Sequence, residues 1–83
     1  MYYVYLIISK NKKRTITNVG YTNNLKRRIK LHNDAKGAKF TRCRKWSLLY
    51  SRKYANKNIA MSEEYKLKKD YKLRKKIKLR GKN

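Results

Sequence analysis

The stretch that decides the fold is NVGYTNNLKRRIKLHN, residues 18–33. Its first residues are typical of a β-strand, and Gly20 ends that strand or lets another backbone approach closely. The polar residues 22–24 then offer N-cap candidates for a helix. Side chains spaced i, i+3, i+4 and i+7 along that helix share one face: Leu25, Arg28, Ile29 and His32. We therefore predict a strand that ends near Gly20 and an amphipathic helix that ends near Asn33.

The flanking sequence completes an α+β pattern. Segments rich in aromatic and β-branched residues predict three strands, and the first two are expected to pair as an antiparallel hairpin: residues 2–8, 14–21 and 46–54. A second helix is expected from Asn56 or Asn58 to Lys69, and residues 70–79 either continue it or form a third helix. The predicted fold is a small three-stranded antiparallel sheet flanked by two to three helices, which lie on both faces or on one.

Composition indicates one folded domain with an excess of positive charge. The 83 residues include 26 Lys and Arg but only 4 Asp and Glu, for a formal net charge of +22. Hydrophobic residues make up 40% of the chain and provide a small core. We expect a single domain over residues 1–79, followed by a basic polar tail over residues 80–83.

The charge favours a polyanionic partner. Like charges destabilise a compact state, and a nucleic-acid backbone is the commonest partner that neutralises them. An acidic membrane surface or an acidic protein is the alternative, but no helix shows a large bare apolar face. No signal peptide or spanning segment is visible, and Cys43 is alone, so we expect an intracellular protein, cytoplasmic or nucleoid-associated, without a disulfide framework.

Three polar side chains occupy positions where apolar ones are expected. Arg28 and His32 lie on the apolar face of the first helix, where a charge is costly unless it is paired or used. Glu64 lies in a stripe of the second helix with Ala60, Leu67 and Tyr71. Taken singly, Arg28 could extend to solvent and His32 could be a hydrogen-bonded core residue. Glu64 needs a cationic partner: it either forms a structural ion pair, for which Arg28 could serve, or binds a divalent metal. The spacing leaves both open.

Four segments, in their order along the chain, resemble the GIY-YIG nuclease domain. They are VYLI (residues 4–7), NVGYTNNLKRRIKLHN (residues 18–33), GAKFTR (residues 37–42) and EYKLK (residues 64–68). The resemblance is to the small standalone YhbQ-type branch of that family. Its most specific part is the middle block, in which Arg28 and His32 stand four residues apart after a glycine. The family fold, a three-stranded antiparallel sheet flanked by helices, agrees with the predicted elements.

The resemblance implies a role for each matching residue. Tyr5 corresponds to the tyrosine of GIY, Gly20 to the glycine of YIG, Arg28 to the catalytic arginine and His32 to the histidine one turn later. Glu64 corresponds to the glutamate that holds one divalent ion, Mg²⁺ or Mn²⁺. The implied activity is metal-dependent hydrolysis of phosphodiester bonds, of the kind used in DNA repair or recombination. DNA is the first expected substrate, and RNA also fits.

Further side chains are expected to contact the nucleic acid. Phe40 and Trp46 are candidates for stacking on bases, although core packing is the more usual role of such aromatics. The segment from Lys66 onward, with ten basic residues and one Asp, predicts a surface that follows phosphates. Four cations in a basic loop are expected to grip the backbone: Lys36, Lys39, Arg42 and Arg44.

The chain departs from the family pattern at the second tyrosine. Asn18 occupies the place of the YIG tyrosine, and Tyr3 replaces the glycine of GIY. In a regular strand positions 18 and 21 face opposite sides, so Tyr21 is not a substitute, whereas Tyr3 shares a face with Tyr5. A second hypothesis follows, in which the same scaffold is catalytically weak or inactive and only binds DNA or RNA.

Overall fold

The computed structural model describes residues 1–10, 15–34 and 45–80. Strands and helices follow each other in the predicted order, and the segment after Asp70 is a third helix. The fold is α+β, as the sequence predicts. The elements are β1 (Tyr2–Lys10), β2 (Thr15–Thr22), α1 (Leu25–Asn33), β3 (Ser47–Tyr54), α2 (Lys57–Lys69) and α3 (Tyr71–Arg80).

The three strands form one antiparallel sheet in the order β2-β1-β3. The predicted hairpin of β1 and β2 is confirmed, and its register sets Tyr5 opposite Gly20 and Ile7 opposite Asn18. Strand β1 lies between the other two and is buried from Val4 to Ser9. Its nearly continuous apolar sequence, VYLII, is what a strand covered on both faces requires.

Helices cover both faces of the sheet, which decides between the two predicted arrangements. Successive side chains of β1 point to opposite faces. On one face Tyr5, Ile7 and Trp46 form a buried cluster against Leu25 and Ile29 of α1. We call this side the α1 face.

The opposite side, the α2/α3 face, holds the second buried cluster. Val4 and Leu6 of β1 and Val19 of β2 pack there against Ala60 and Leu67 of α2. Ile77 of α3 packs against the same cluster. Trp46 belongs to the core of the α1 face, so the packing role is the correct one for this aromatic.

Side-chain caps define where the helices begin. The Asn24 side chain accepts a hydrogen bond from the backbone N–H of Arg27 at 3.1 Å, and that of Asn56 accepts one from Ile59 at 2.9 Å. Asp70 separates the last two helices, because its carboxylate accepts the backbone N–H of Leu73 at 3.0 Å and so caps α3. No helix within the described ranges is long and apolar enough to cross a membrane.

Candidate active site on the α1 face

Tyr5 stands at the centre of the candidate site. It projects from the middle strand onto the α1 face and is only 1% exposed. Its ring extends across Gly20 of the neighbouring strand, where a Cβ would overlap the phenol oxygen. Gly20 is therefore required by the close approach of this side-chain ring, and not by the approach of another backbone or the end of the strand, which the sequence suggested.

Two side chains of α1 converge on the phenol oxygen of Tyr5. The Nε2 atom of His32 lies 3.1 Å from this oxygen. The Nε–H of Arg28 donates to the same oxygen at 3.3 Å. The i, i+4 spacing places both side chains on one face of α1, and the Asn24 cap fixes where that helix begins. Three residues chosen from the sequence thus meet at one atom.

His32 is a neutral base in this position. It is 1% exposed, and burial, followed by the nearby Arg28 cation, lowers the pKa of its imidazole below the ordinary value of 6.5. A neutral imidazole has one acceptor nitrogen. We assign that acceptor to Nε2, because the Tyr5 oxygen already accepts a hydrogen bond from Arg28 and has its own proton to donate.

Two buried aromatic rings and a pair of hydrogen bonds from the next residue hold His32 in place. Its ring packs edge-on against Tyr5, with centroids 6.0 Å apart, and tilted against Trp46 at 6.3 Å. Asn33 accepts the backbone N–H of Trp46 at 2.6 Å and donates to the carbonyl of Trp46 at 3.1 Å. The sequence identified Asn33 only as the end of the helix, although it also ties α1 to the start of β3.

Arg28 connects this buried centre to the surface. It is half-buried, whereas Tyr5 and His32 are inaccessible. Its guanidinium has five N–H donors, and only the one on Nε is directed to Tyr5. It also borders a groove of about 240 Å³ with five other residues: Thr22, Asn23, Asn24, Arg27 and Leu31.

Glu64 lies apart from this trio. Its neighbours in the α2 stripe, Ala60 and Leu67, pack on the α2/α3 face. Its side chain is 16% exposed and forms an ion pair with Lys68 at 3.3 Å. Within the described part of the chain, no hydrogen bond or ion pair joins Glu64 to Arg28 or Tyr5. The Arg28–Glu64 ion pair considered from the sequence does not form.

A metal at Glu64 would need ligands from outside the protein. Residues 1–10, 15–34 and 45–80 contain no group of three or more His, Cys, Asp or Glu side chains able to surround an ion. Mg²⁺ is commonly held by one or two carboxylates together with waters and substrate phosphates. The single carboxylate of Glu64 fits an ion shared with a substrate phosphate, and it does not fit a resident ion enclosed by protein ligands.

The structure also places the departures from the family pattern. Asn18 pairs with Ile7 and shares the α1 face with Tyr5. Tyr21 packs against the cluster of the α2/α3 face, so the expectation that it does not replace the missing tyrosine is supported. Tyr3 borders a different groove, with Leu25 and Ile29. The predicted loop contacts lie outside the described residues: Lys36, Lys39, Phe40, Arg42 and Arg44.

Comparison with known proteins decides the family. The model of the GIY-YIG catalytic domain matches residues 1–78. The chain belongs to the GIY-YIG family. Membership indicates nuclease activity and a nucleic-acid substrate at the level of the family, whose nucleases generally depend on a divalent metal.

The similar curated proteins carry the name UPF0213, which states no activity. The chain is 43% identical to the UPF0213 protein of Oceanobacillus iheyensis, over 81% of this chain and 76% of that one. It is 44% identical to that of Clostridium perfringens, over 83% and 72%. It is 47% identical to YazA of Bacillus subtilis over 60% of this chain, a match that covers about half (52%) of YazA. No solved structure matches the chain.

Proposed function

We propose that this protein is a divalent-metal-dependent endonuclease that hydrolyses phosphodiester bonds, with DNA as its first substrate and Tyr5, Arg28 and His32 as its centre. The observation that supports this proposal best is the convergence of Nε2 of His32 and Nε of Arg28 on the Tyr5 oxygen. A buried tyrosine that lies between a neutral base and a cation is arranged to pass a proton and to tolerate negative charge on its oxygen.

Arg28 acts as the electrophilic group. Its Nε holds Tyr5, which leaves the terminal nitrogens for the non-bridging oxygens of the scissile phosphate. The planar, permanently charged guanidinium suits a phosphate, and fixed donors stabilise the charge that develops in the transition state. The groove beside Arg28 gives the phosphate its approach.

Tyr5 and His32 act as a proton relay. A water attacks phosphorus and gives its proton to the Tyr5 oxygen, while the Tyr5 proton passes to Nε2 of His32. The P–O bond to the leaving oxygen breaks, and solvent protonates that oxygen. Because Tyr5 is 1% exposed, the attacking water reaches its phenol oxygen only if neighbouring side chains move when substrate binds.

Glu64 would hold the metal ion. A divalent ion held there would supply positive charge for the phosphate and for the leaving oxygen. Lys68, which forms an ion pair with Glu64 at 3.3 Å, orients this carboxylate. Part of the remaining positive charge binds the phosphate backbone without regard to sequence.

A nucleic-acid-binding module without catalysis is the second candidate. Two observations favour it: Asn18 replaces the family tyrosine on the Tyr5 face, and the stripe that contains Glu64 packs on the opposite face. Metal dependence separates the two functions, because a pure binder holds DNA or RNA equally well in EDTA and cuts neither.

The deciding experiment is a nicking assay on supercoiled plasmid and on flapped or branched DNA, with Mg²⁺ or Mn²⁺. We expect Arg28→Ala and Glu64→Ala to abolish cleavage. Lys30→Ala, an exposed cation on α1, and Glu63→Ala, the neighbouring acid, serve as matched controls that keep cutting. If the wild type cuts none of these substrates, or if Glu64→Ala cuts as fast as the wild type, the nuclease proposal is wrong.

A further inference from the structure

A second basic groove lies between β2 and α3. It has a volume of about 220 Å³, and one residue from the strand and five from the helix line it: Thr17, Tyr71, Arg74, Lys75, Lys78 and Leu79. Thr17 and Val19 are two residues apart on β2 and therefore point to the same side of the sheet. Val19 packs on the α2/α3 face, so this groove lies on the face opposite the candidate active site.

The groove collects cations on one side of α3. Tyr71, Arg74, Lys75 and Lys78 follow the i, i+3, i+4, i+7 spacing that places side chains on one helical face. None of the four acidic residues of the chain, all of which the structure describes, lines the groove. Three cations that share about 220 Å³ repel each other unless an anion lies between them.

Arg74, which lines this groove, has an unsatisfied buried donor. Its Nε is buried and has no hydrogen-bond partner within residues 1–10, 15–34 and 45–80. A buried donor without a partner costs free energy, and a bound acceptor removes that cost. If the Arg74 side chain turns toward the groove, a phosphate oxygen there would satisfy this donor and would also neutralise part of the local positive charge.

Tyr71 adds an aromatic surface to this set of charges. It is 66% exposed, far more than packing would leave it, and the Arg74 guanidinium lies 5.8 Å from its ring centroid. An exposed aromatic beside cations is the usual arrangement for binding a single strand, in which bases stack on the ring while the phosphates contact the cations. In a duplex the bases are already stacked on each other, so a lone exposed ring has no base to receive.

We propose that the groove between β2 and α3 binds a single-stranded segment of nucleic acid, with Arg74, Lys75 and Lys78 on its phosphates and Tyr71 stacked on a base. This inference rests on the proposed nucleic-acid substrate, but it does not depend on cleavage. It gives the protein two contacts with nucleic acid, one on each face of the sheet. The groove holds the strand, and the centre on the α1 face carries the chemistry.

The test measures binding of labelled single strands by fluorescence anisotropy in EDTA, so that nothing is cut. The probes are oligo(dT), oligo(rU) and a mixed-sequence DNA duplex, each about 12 nucleotides long, within the roughly 4–16 nucleotides that one single-strand-binding domain covers. The variant Lys75→Gln/Lys78→Gln is compared with Lys72→Gln/Lys76→Gln, which removes the same charge from a side of α3 that lines no described pocket. Tyr71→Ala is compared with Tyr65→Ala, because Tyr65 is also exposed and its ring also lies beside a cation, Lys69.

We expect the groove variants to lose single-strand affinity selectively. Lys75→Gln/Lys78→Gln should reduce the slope of log K against log salt by about 1.4, since each single-strand phosphate contact contributes about 0.7. Tyr71→Ala should bind single strands about fivefold or more weakly, while both controls stay near wild type. Stronger binding of oligo(dT) or of oligo(rU) identifies DNA or RNA as the natural strand.

Equal losses in the groove variants and their controls would mean that only net charge matters, and the groove assignment would be wrong. It would also be wrong if the wild type preferred the duplex and Tyr71→Ala changed nothing. The nuclease proposal fails by a different result, the absence of cleavage by wild type. Because the binding test is run in EDTA, where nothing is cut, its outcome does not depend on that result.

Discussion

Gly20 makes the room that the Tyr5 phenol occupies. We predict that Gly20→Ala destabilises the protein by about 1–3 kcal/mol, the usual cost of an added methyl group in a filled space, because the new Cβ overlaps the Tyr5 oxygen. The displaced oxygen also leaves Arg28 and His32, so cleavage should fall. Urea unfolding and the nicking assay measure the two effects. Asn18→Ala, on the same face of the same strand, is the control; equal stability of Gly20→Ala and wild type would contradict the prediction.

His32 is the only histidine of the chain, so a change in the free energy of unfolding over the pH range in which histidine titrates can be assigned to it. Burial and Arg28 lower its pKa in the folded protein below the ordinary 6.5. As the pH falls through the ordinary pKa of 6.5, the imidazole of the unfolded chain binds a proton, whereas that of the folded chain stays neutral until a lower pH. The free energy of unfolding is therefore highest above the unfolded pKa and decreases with acid, by at most about 1.4 kcal/mol per pH unit.

The measurement is urea unfolding between about pH 7.5 and pH 5.5, a window in which His is the side chain that ordinarily titrates. Wild type should lose stability across the window, and His32→Gln should be flat there, even though it is less stable throughout. A parallel loss in both proteins would assign the effect to another group and contradict a neutral, buried His32.

The residues of the candidate site differ in how much of their role the sequence alone predicts. Arg28 and His32 follow from helical periodicity, because charges on an apolar face are visible in the sequence alone. Tyr5 required the family resemblance, since an aromatic in an apolar strand is indistinguishable from core packing. The double hydrogen bond from Asn33 to Trp46 was missed. It joins residues 13 positions apart in the sequence, and no local sequence pattern predicts a contact at that separation.

At the scale of elements, the sequence left open which helix covers each face of the sheet and what Glu64 contacts. Both questions stayed open for the same reason. Periodicity shows which side of an element is buried, but it does not show which neighbour buries it. The apolar run of β1 therefore predicted a covered strand without assigning α1 to one face and α2 to the other. The position of Glu64 depends on that same assignment, because the face against which α2 packs decides what its stripe contacts.

The junction at Asp70 sets the position of α3. The sequence permitted one continuous helix or a break here. The break occurs at Asp70, whose carboxylate Oδ1 accepts the backbone N–H of Leu73 at 3.0 Å and caps α3. We predict that Asp70→Ala destabilises the protein by about 1 kcal/mol, as loss of an N-cap usually does. It should also speed hydrogen exchange within residues 71–80. Asp34→Ala, at the end of α1, removes the same charge and should leave α3 protected; if both variants expose α3 equally, charge and not the cap is responsible.

At the scale of the whole molecule, the charge of +22 acts on folding and on binding with opposite signs. The described ion pairs, Glu63–Lys66 and Glu64–Lys68, each join neighbours on one helix and contribute little against so many cations. Self-repulsion should therefore dominate, and salt screens it over a distance of about 10 Å at 0.1 M.

We predict that the Tm rises between about 0.02 M and 0.2 M potassium chloride. Over the same range the affinity for nucleic acid should fall steeply, because added salt makes the release of counterions less favourable. Thermal unfolding and anisotropy titrations on the same samples measure both slopes. A neutral osmolyte such as sucrose serves as the control, because it should raise the Tm without weakening binding. A Tm that falls with salt would mean that attractive pairs outweigh repulsion in the folded chain, and the excess charge would then need an explanation within the fold instead of in a polyanionic partner.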